Sequence, residues 1–449
     1  MAAWTGGHWT RPPGGIGGFT QDTRQLGAGQ MFVALKSDRR DGHDFLGEAR
    51  NRGAAAALVG REVKGADLPQ LVVTDPQAAF QRIAREHRRE FLGLVVGVTG
   101  SVGKTSTKDL LGLLLGGPAE VLTTAGNLNN QLGVPLTLTR LDPAGHRAAV
   151  VEAGISGPGE MAPLVAMIEP DHGVVTVVAP AHLAGLGTIE NVAHEKWLLL
   201  AGVGRRGLQV FPVSCCRFAE FRTLDNALVL VPESEGGSRF AERQVVFSVA
   251  QRSDRTELAL DGSRHFLLRR VSSGMAQNAA LALALASELG VDDAQLQTRL
   301  EAWQPSKWRG ELRQVGEATV YCDFYNANPA SMADAIEAFD GQVPADQPRL
   351  YVLGCMEELG PQSAAYHREL GCLLRLRRGD YLYAIGDQAA ALREGLLASG
   401  NAAAQVEVLA DLHPVQERLA GFKGAVFLKG SRRYQLEQLI HPEATVHAH

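Results

Sequence analysis

The spacing of apolar and polar residues along the chain changes several times, and the changes divide it into three units. Up to about residue 90 the apolar runs are short. MFVALK reads as a strand, FLGEARNRGA as a helix ended by Gly53, and AAAALVG and LPQLVVTD as further strands of a small α/β unit. Near Phe91 the text becomes LGLVVGVTGSVGKTSTKDLLGLLL, a continuous apolar strand, a glycine turn and an amphipathic helix. AAVVEAG and GVVTVVA follow, each beside a helix-like stretch, which is the alternation of a parallel sheet wrapped by helices. Between about Leu208 and Val271 short strands succeed one another (LQVFPV, ALVLVP, QVVFSV, TELALD, HFLLRRV) before MAQNAALALALASEL returns to helix, and these strands read as a β-rich insertion. From about Arg313, strands TVYCD, RLYVLG, YLYAIG, VEVLAD and AVFLKG alternate with helices, the pattern of a doubly wound parallel sheet. The expected architecture is α/β throughout, divided as 1–91, 92–312 and 313–449. Ligands of such sheets bind at the carboxyl ends of strands, which draws attention to Asp323, Gly354, Gly386, Asp411 and Lys429.

Composition narrows the function without choosing it. The 449 residues are 45% hydrophobic and 21% charged, an ordinary globular balance that excludes a disordered, collagenous or coiled-coil chain. Lys and Arg number 44 against 49 Asp and Glu, so there is no overall basic footprint for a nucleic-acid partner. The 5 cysteines, at 215, 216, 322, 355 and 372, form no C-x-x-C pair, and reduced thiols in a cytoplasm fit them best. No apolar run approaches the ~18 residues of a membrane span, and the Gly-rich start lacks the apolar core of a signal peptide, so membrane insertion and export are not expected.

The strongest chemical signal is Thr99-Gly100-Ser101-Val102-Gly103-Lys104-Thr105-Ser106, between a buried strand and a helix start. The glycines let backbone N–H groups turn onto phosphate oxygens and the helix N-terminus adds its positive end. Lys104 neutralises β/γ charge, and the Thr105 hydroxyl can meet Mg²⁺. ATP is the natural ligand. The usual G-x-x-x-x-G-K-[ST] spacing would need glycine where Val98 stands, so this is a shorter variant; a glycine turn that binds nothing is the plain alternative. Glu152, at the end of AAVVEAG, is a hard-oxygen candidate for Mg²⁺. His182 and Lys196 follow in the same unit, where spacing alone gives neither a role.

Asp323-Phe324-Tyr325-Asn326-Ala327-Asn328-Pro329-Ala330-Ser331-Met332 carries a D-x-Y-N-A-N-P-x-S-M string that resembles the Mur ligase family, in the branch that handles D-alanyl-D-alanine. DTRQLGAGQMFVALKSDRRDGHDF, TAGNLNNQLGVPLTL, AHLAGLGTIENVAHEK, VLGCMEELG and LKGSR agree with it in the same order, from about Gln21 to Leu439. The resemblance implies a three-domain fold: a UDP-sugar-peptide domain, a central phosphate-loop ATPase domain and a C-terminal Rossmann-like domain. It implies an ATP-dependent ligase joining D-Ala-D-Ala to UDP-N-acetylmuramoyl-tripeptide through an acyl phosphate, in the cytoplasm and as a monomer. It matches Lys196 to a carbamylated lysine and groups it with Glu152 and His182 around a second metal, while Thr105 and Glu152 serve the Mg²⁺ on the β/γ-phosphates. Asp323 matches a ribose contact and Arg309 an arginine near the γ-phosphate; Asn326 and Asn328 line the ATP cleft. Asn127, Asn129 and Asn130 match a loop facing the muramoyl-peptide, and Asp22, Thr23, Arg24, Lys36, Asp41 and His43 the uridine end.

The chain departs from that pattern at several places. The family's G-x-H-N string before the N-A-x-A-A helix reads Ser272-Ser273-Gly274-Met275-Ala276-Gln277-Asn278, leaving Asn278 as the matched asparagine on the adenine side. G-D-M has become Gly354-Cys355-Met356, and Phe324 replaces a serine, changes expected to reach the nucleotide or dipeptide pocket. They keep two other readings open, a catalytically weak paralogue with a binding or regulatory role and a ligase for a different amino acid.

Overall fold

The computed structural model describes residues 1–236 and 242–440; the end of the third expected unit, 441–449, lies outside the described residues. Three sheets follow one another along the chain. The first has five strands in the spatial order His8–Trp9, Gln70–Val72, Ala56–Val59, Met31–Val33, Phe19–Thr20, parallel except at the His8–Trp9 edge. The helix Pro76–Glu90 was not expected from the pattern. Asp75 caps it by accepting from the Gln77 and Ala78 amides, and Pro76 occupies its first turn. Its buried stripe is shared: Phe80 and Ile83 join the core of the first sheet, whereas Ala84 joins Phe91 and Val134 in the second unit. One helix therefore belongs to two cores.

The second sheet corrects the expected insertion. It has nine strands, ordered Arg264–Arg269, Arg255–Leu260, Arg243–Gln251, Ala227–Pro232, Gln209–Pro212, His172–Val175, Leu94–Thr99, Ala148–Glu152, Val121–Thr123. Val210 pairs in register with Val174, so the strands after residue 208 extend the second sheet in parallel. Strands such as Gln209–Pro212 are buried along their whole length, the signature of a sheet covered on both faces. Among the described strands of this sheet Arg255–Leu260 and Arg264–Arg269 turn antiparallel, and there burial alternates along the strand. The helix Ser273–Glu288 then packs across the sheet beside Lys104–Leu114. Cys215 and Cys216 are buried in this unit, and burial pushes the Cys215 thiol up to about 12.

The third sheet has six strands, ordered Glu311–Val315, Ala318–Asp323, Ala425–Lys429, Arg349–Gly354, Tyr381–Ile385, Val406–Leu409, all parallel except the first. In the second sheet Leu94–Thr99 lies between His172–Val175 and Ala148–Glu152, so the chain turns off to opposite sides there. That switch point is where an open α/β sheet leaves a crevice. Among the described residues no helix is long and apolar enough to cross a membrane.

Candidate functional site

A cleft of about 750 Å³ is lined from both the second and third units. Its floor is the glycine turn after Leu94–Thr99. Gly100 and Gly103 hold positive φ, and a Cβ would overlap the Thr176 hydroxyl at the first and the Asn278 amide at the second. The turn is pinned by its neighbours: the Ser101 amide donates to the Val177 carbonyl at 2.8 Å, the Ser101 hydroxyl to the Ala179 carbonyl at 2.7 Å, and Thr176 Oγ1 to the Val102 carbonyl. Thr99 is fully buried beneath it. Val102 and Ser106 line the cleft beside Lys104. Lys104 Nζ folds back to the Gly100 carbonyl at 2.8 Å; burial lowers its pKa, with Glu152 opposing the shift.

Thr105 and Glu152 meet directly. The Thr105 hydroxyl donates to Glu152 Oε2 at 2.9 Å, and Asn129 Nδ2 donates to Oε1 at 2.8 Å, around a carboxylate only 1% exposed. Two hard oxygen donors thus touch at the end of the phosphate loop, a donor set suited to Mg²⁺. Among the described residues no group of three or more His, Cys, Asp or Glu side chains could hold a metal by itself. Asn127 and Asn130 line the cleft beside Asn129, and Asn130 Oδ1 accepts from the Leu132 and Gly133 amides to start the next helix. His182 lines the cleft at positive φ, with Nδ1 at 2.5 Å from Glu358 Oε2 of the third unit. Burial lowers its pKa against that partner.

Lys196 is not among the cleft-lining side chains. It is buried in the helix Ile189–Ala201, and among the described residues nothing accepts a hydrogen bond from its Nζ. Burial, and secondarily the Lys104 charge, hold its pKa well below the usual lysine range.

The third unit brings Asp323, Tyr325, Asn326 and Asn328 to the opposite wall. Asn328 caps the helix Pro329–Gln342 through a reciprocal capping box with Ser331, and its Nδ2 donates to the Ser101 carbonyl at 3.3 Å. Arg309 lies over the Tyr325 ring at 4.1 Å and lines the cleft. Asn278 reaches it from the second unit. Phe324 and Cys355 do not: both are buried, and Phe324 packs on Trp308 with ring centroids 5.4 Å apart. These two departures repack the third unit's core instead of altering a pocket, because the side chain after Asp323 points to the opposite sheet face from its neighbours. Residues the sequence reading gave no role also stand here, notably Lys429, Glu358 and Asp334. Lys429 was visible as a strand end and Glu358 lies within the VLGCMEELG string, where no role was given to it, but nothing local marks Asp334.

The first unit's candidates stand apart from this cleft. Asp22 caps the turn Thr23–Gln25 and pairs with Arg24 at 2.8 Å. Lys36 and Asp41 pair only through their backbones, in an isolated antiparallel bridge, and the Asp41 carboxylate accepts from the His43 ring at 2.5 Å and from Arg61 at 3.0 Å. The Gly60 amide donates to His43 Nε2, so the ring proton sits on Nδ1.

Residues 98–286 match the Mur ligase middle domain, 308–432 the Mur ligase glutamate ligase domain, and 16–96 the Mur ligase family catalytic domain. Over 434 residues the chain is 33% identical to the UDP-N-acetylmuramoyl-tripeptide–D-alanyl-D-alanine ligase of Escherichia coli (strain K12), covering 94% of this chain and 92% of that one. It belongs to the Mur ligase family. This Mur ligase is also 29% identical to the enzyme of the same name from Bacillus subtilis (strain 168), over 95% of its own length and 92% of the relative's. Its fold superposes on MurF from Acinetobacter baumannii with a TM-score of 0.85 at 27% identity, covering 98% and 97% of the two chains. MurF ligase from Thermotoga maritima in complex with ADP gives 0.79 at 28% identity, covering 94% and 96%. The three-domain Mur ligase architecture is therefore the architecture of this chain.

Proposed function

We propose that this Mur ligase uses ATP to join D-Ala-D-Ala to UDP-N-acetylmuramoyl-tripeptide, in the cytoplasm and as a monomer. The observation that carries the reading is the Thr105–Glu152 contact at the end of the phosphate loop, facing Asp323 and Asn328 across one cleft. The tripeptide carboxylate attacks the γ-phosphorus of ATP and ADP leaves; the dipeptide amine then attacks the acyl phosphate, loses a proton and expels phosphate. Lys104 and the loop amides cradle the phosphates, Arg309 approaches the γ-phosphate, and Asn278, Asp323, Asn326 and Asn328 border the nucleoside. Asn127, Asn129 and Asn130 face the muramoyl-peptide, and the Asp22, Thr23, Arg24, Lys36, Asp41 and His43 turns take the uridine end. The working division is 1–91 for the UDP-sugar-peptide, 92–312 for ATP and 313–449 for completing the site.

Mg²⁺ on the β/γ-phosphates suits Thr105 and Glu152, and a second metal suits Glu152, His182 and carbamylated Lys196. Bound there, the ions would neutralise charge on the transferred phosphoryl group. The Lys196 amine is buried and unpartnered among the described residues, and its lowered pKa favours the neutral form. That form can add CO₂, losing a proton, to become an oxygen-donor anion.

The test is phosphate release from Mg²⁺-ATP by the purified protein, omitting the UDP-muramoyl-tripeptide and D-Ala-D-Ala in turn, with mass detection of product. Release that requires both, with UDP-muramoyl-pentapeptide formed, establishes the reaction. Nucleotide binding without turnover would instead mark a paralogue with a binding role.

A further inference from the structure

The string that stands where the family carries G-x-H-N has partners in the third unit. The helix Pro329–Gln342 presents Asp334, Glu337 and Gly341 at i, i+3 and i+7, on one face. That face lies against residues 270–274 of the second unit. Asp334 Oδ2 accepts from the Ser272 hydroxyl at 2.7 Å, and its Oδ1 from the Gly274 amide at 2.8 Å. Glu337 Oε1 accepts from the Ser273 amide at 3.1 Å and from the Ser273 hydroxyl at 2.5 Å. A Cβ on Gly274 would come within 2.6 Å of Asp334, and one on Gly341 within 3.0 Å of Arg270 Nε. A side chain at Gly274 would displace the Asp334 carboxylate, whereas one at Gly341 would only crowd the flexible end of Arg270.

The contact falls on a helix start. Ser272 caps Ser273–Glu288, accepting from the Met275 amide while donating to Asp334. First-turn amides have no partner within their own helix, and here two are satisfied by carboxylates from another unit, at the helix's positive end. What that helix carries is the phosphate loop's support. The Asn278 amide packs on Gly103, and Gln277 Nε2 donates to the Thr176 carbonyl at 3.4 Å. The helix Pro329–Gln342 therefore touches the loop twice, directly through Asn328 at its start and through the 272–278 segment at its middle.

We propose that Asp334 and Glu337 are positioning residues for the ligase: they latch the third unit onto the 272–274 helix start and so hold Asn278 and the phosphate loop in the closed, nucleotide-ready arrangement. This rests on the function proposed above for the kinetic readout, though not for the structural one. Hydroxyl, amide and glycine at Ser272–Gly274 are what a pair of carboxylates requires, and the altered string is read as a docking sequence. The latch leaves the chemistry at Thr105 and Glu152 untouched, so its loss should weaken nucleotide use more than it slows the bound complex.

The experiment uses the full chain with Asp334→Ala/Glu337→Ala, Asp334→Asn and Glu337→Ala; Glu337 is exposed, so its variant should fold as the native chain does. Small-angle scattering is recorded without nucleotide and with ADP, alongside the KM for ATP, kcat and the ratio of phosphate released to amide formed. Circular dichroism melts report folding. Losing charge-assisted hydrogen bonds shifts an open–closed equilibrium by about tenfold, so the double variant should extend in scattering and raise the KM for ATP by about tenfold with roughly constant kcat. Asp334→Asn, which keeps an acceptor for Gly274, should fall between. A folded double variant with native scattering and native KM overturns the latch. If the double variant fails to fold, a native KM in folded Glu337→Ala and Asp334→Asn overturns it equally. Native protein that forms no amide refutes the function proposed above, while the scattering comparison still decides the latch.

Discussion

Lys429 and Asp323 are register partners on adjacent parallel strands, and their side chains close on each other: Lys429 Nζ stands 2.8 Å from Asp323 Oδ2. The same ammonium donates to the Asp323 and Asn326 carbonyls at 3.3 and 3.1 Å, and it is only 1% exposed. One buried cation thus fixes the first turns of the D-x-Y-N-A-N loop that borders the cleft.

Removing that cation leaves a carboxylate and two carbonyls without their donor. Lys429→Met should destabilise the protein by about 3 kcal/mol, the usual result of breaking one side of a buried pair. It should also raise the KM for ATP, because Asp323 and Asn326 lose their fixed positions. Lys429→Arg should not restore either property, since a planar fork does not fit the space of a compact ammonium. Urea unfolding and steady-state kinetics on the two variants check this; native stability in Lys429→Met would show that the pair contributes nothing net.

The glycine turn proposed as the phosphate loop was legible as a turn because everything that shapes it is local: a buried strand, glycines where the backbone needs positive φ, and Lys-Thr at a helix start. The third sheet was legible for a related reason, since its strands and helices alternate at short range. The strands after residue 208 were misplaced because strand partners are chosen at long range. Leu228 pairing with Gln209's neighbour Val210 and with Arg243 cannot be read from either segment alone. The helix Pro76–Glu90 escaped notice because its surface is crowded with charge, all of its last six residues being His, Arg or Glu. Asp334 was invisible for a stricter reason. Its partner Ser272 lies 62 residues away, and only the docked helices bring the two together.

Lys196, proposed above as a carbamylated metal ligand, opposes stability where it is buried. Its native pKa is depressed by burial, whereas in the unfolded chain the amine keeps its ordinary value of 10.5. Between those values the unfolded state binds a proton that the native state lacks, so stability rises with pH in that window. Lys196→Met removes the penalty while filling the same space. In protein free of metal and nucleotide the variant should gain about 1 kcal/mol near neutral pH and lose ligase activity. The gain should shrink as pH rises toward that of a free lysine. Thermal melts of both proteins across that range provide the check, and a Lys196→Met variant less stable than the native chain at neutral pH would refute it.

Arg88 does for the first two units what Asp334 is proposed to do for the second and third. It projects from the shared helix Pro76–Glu90 and spends every nitrogen: Nε on the Ile168 carbonyl at 2.9 Å, Nη1 on the Phe91 carbonyl at 3.1 Å, and Nη2 on the Glu169 carbonyl at 2.9 Å and Asp171 Oδ2 at 3.0 Å. Arg85 and Arg89 add surface pairs to Glu169, but exposed pairs contribute little beside a buried fork. Arg88→Ala orphans buried carbonyls and should cost about 3 kcal/mol. Arg88→Lys should recover only part of that, because one ammonium cannot reach four acceptors in fixed directions. The phosphate loop is held by Thr176, Asn278 and Asn328, none of which touches Arg88, so the KM for ATP should stay native while the KM for the UDP-linked substrate rises. The junction also offers a direct probe. Leu92, just past the helix, is 97% exposed, and loosening the staple should speed proteolysis there. Equal cleavage rates in the native and Arg88→Ala proteins would mean that the shared apolar stripe of Pro76–Glu90, and not Arg88, joins the two units.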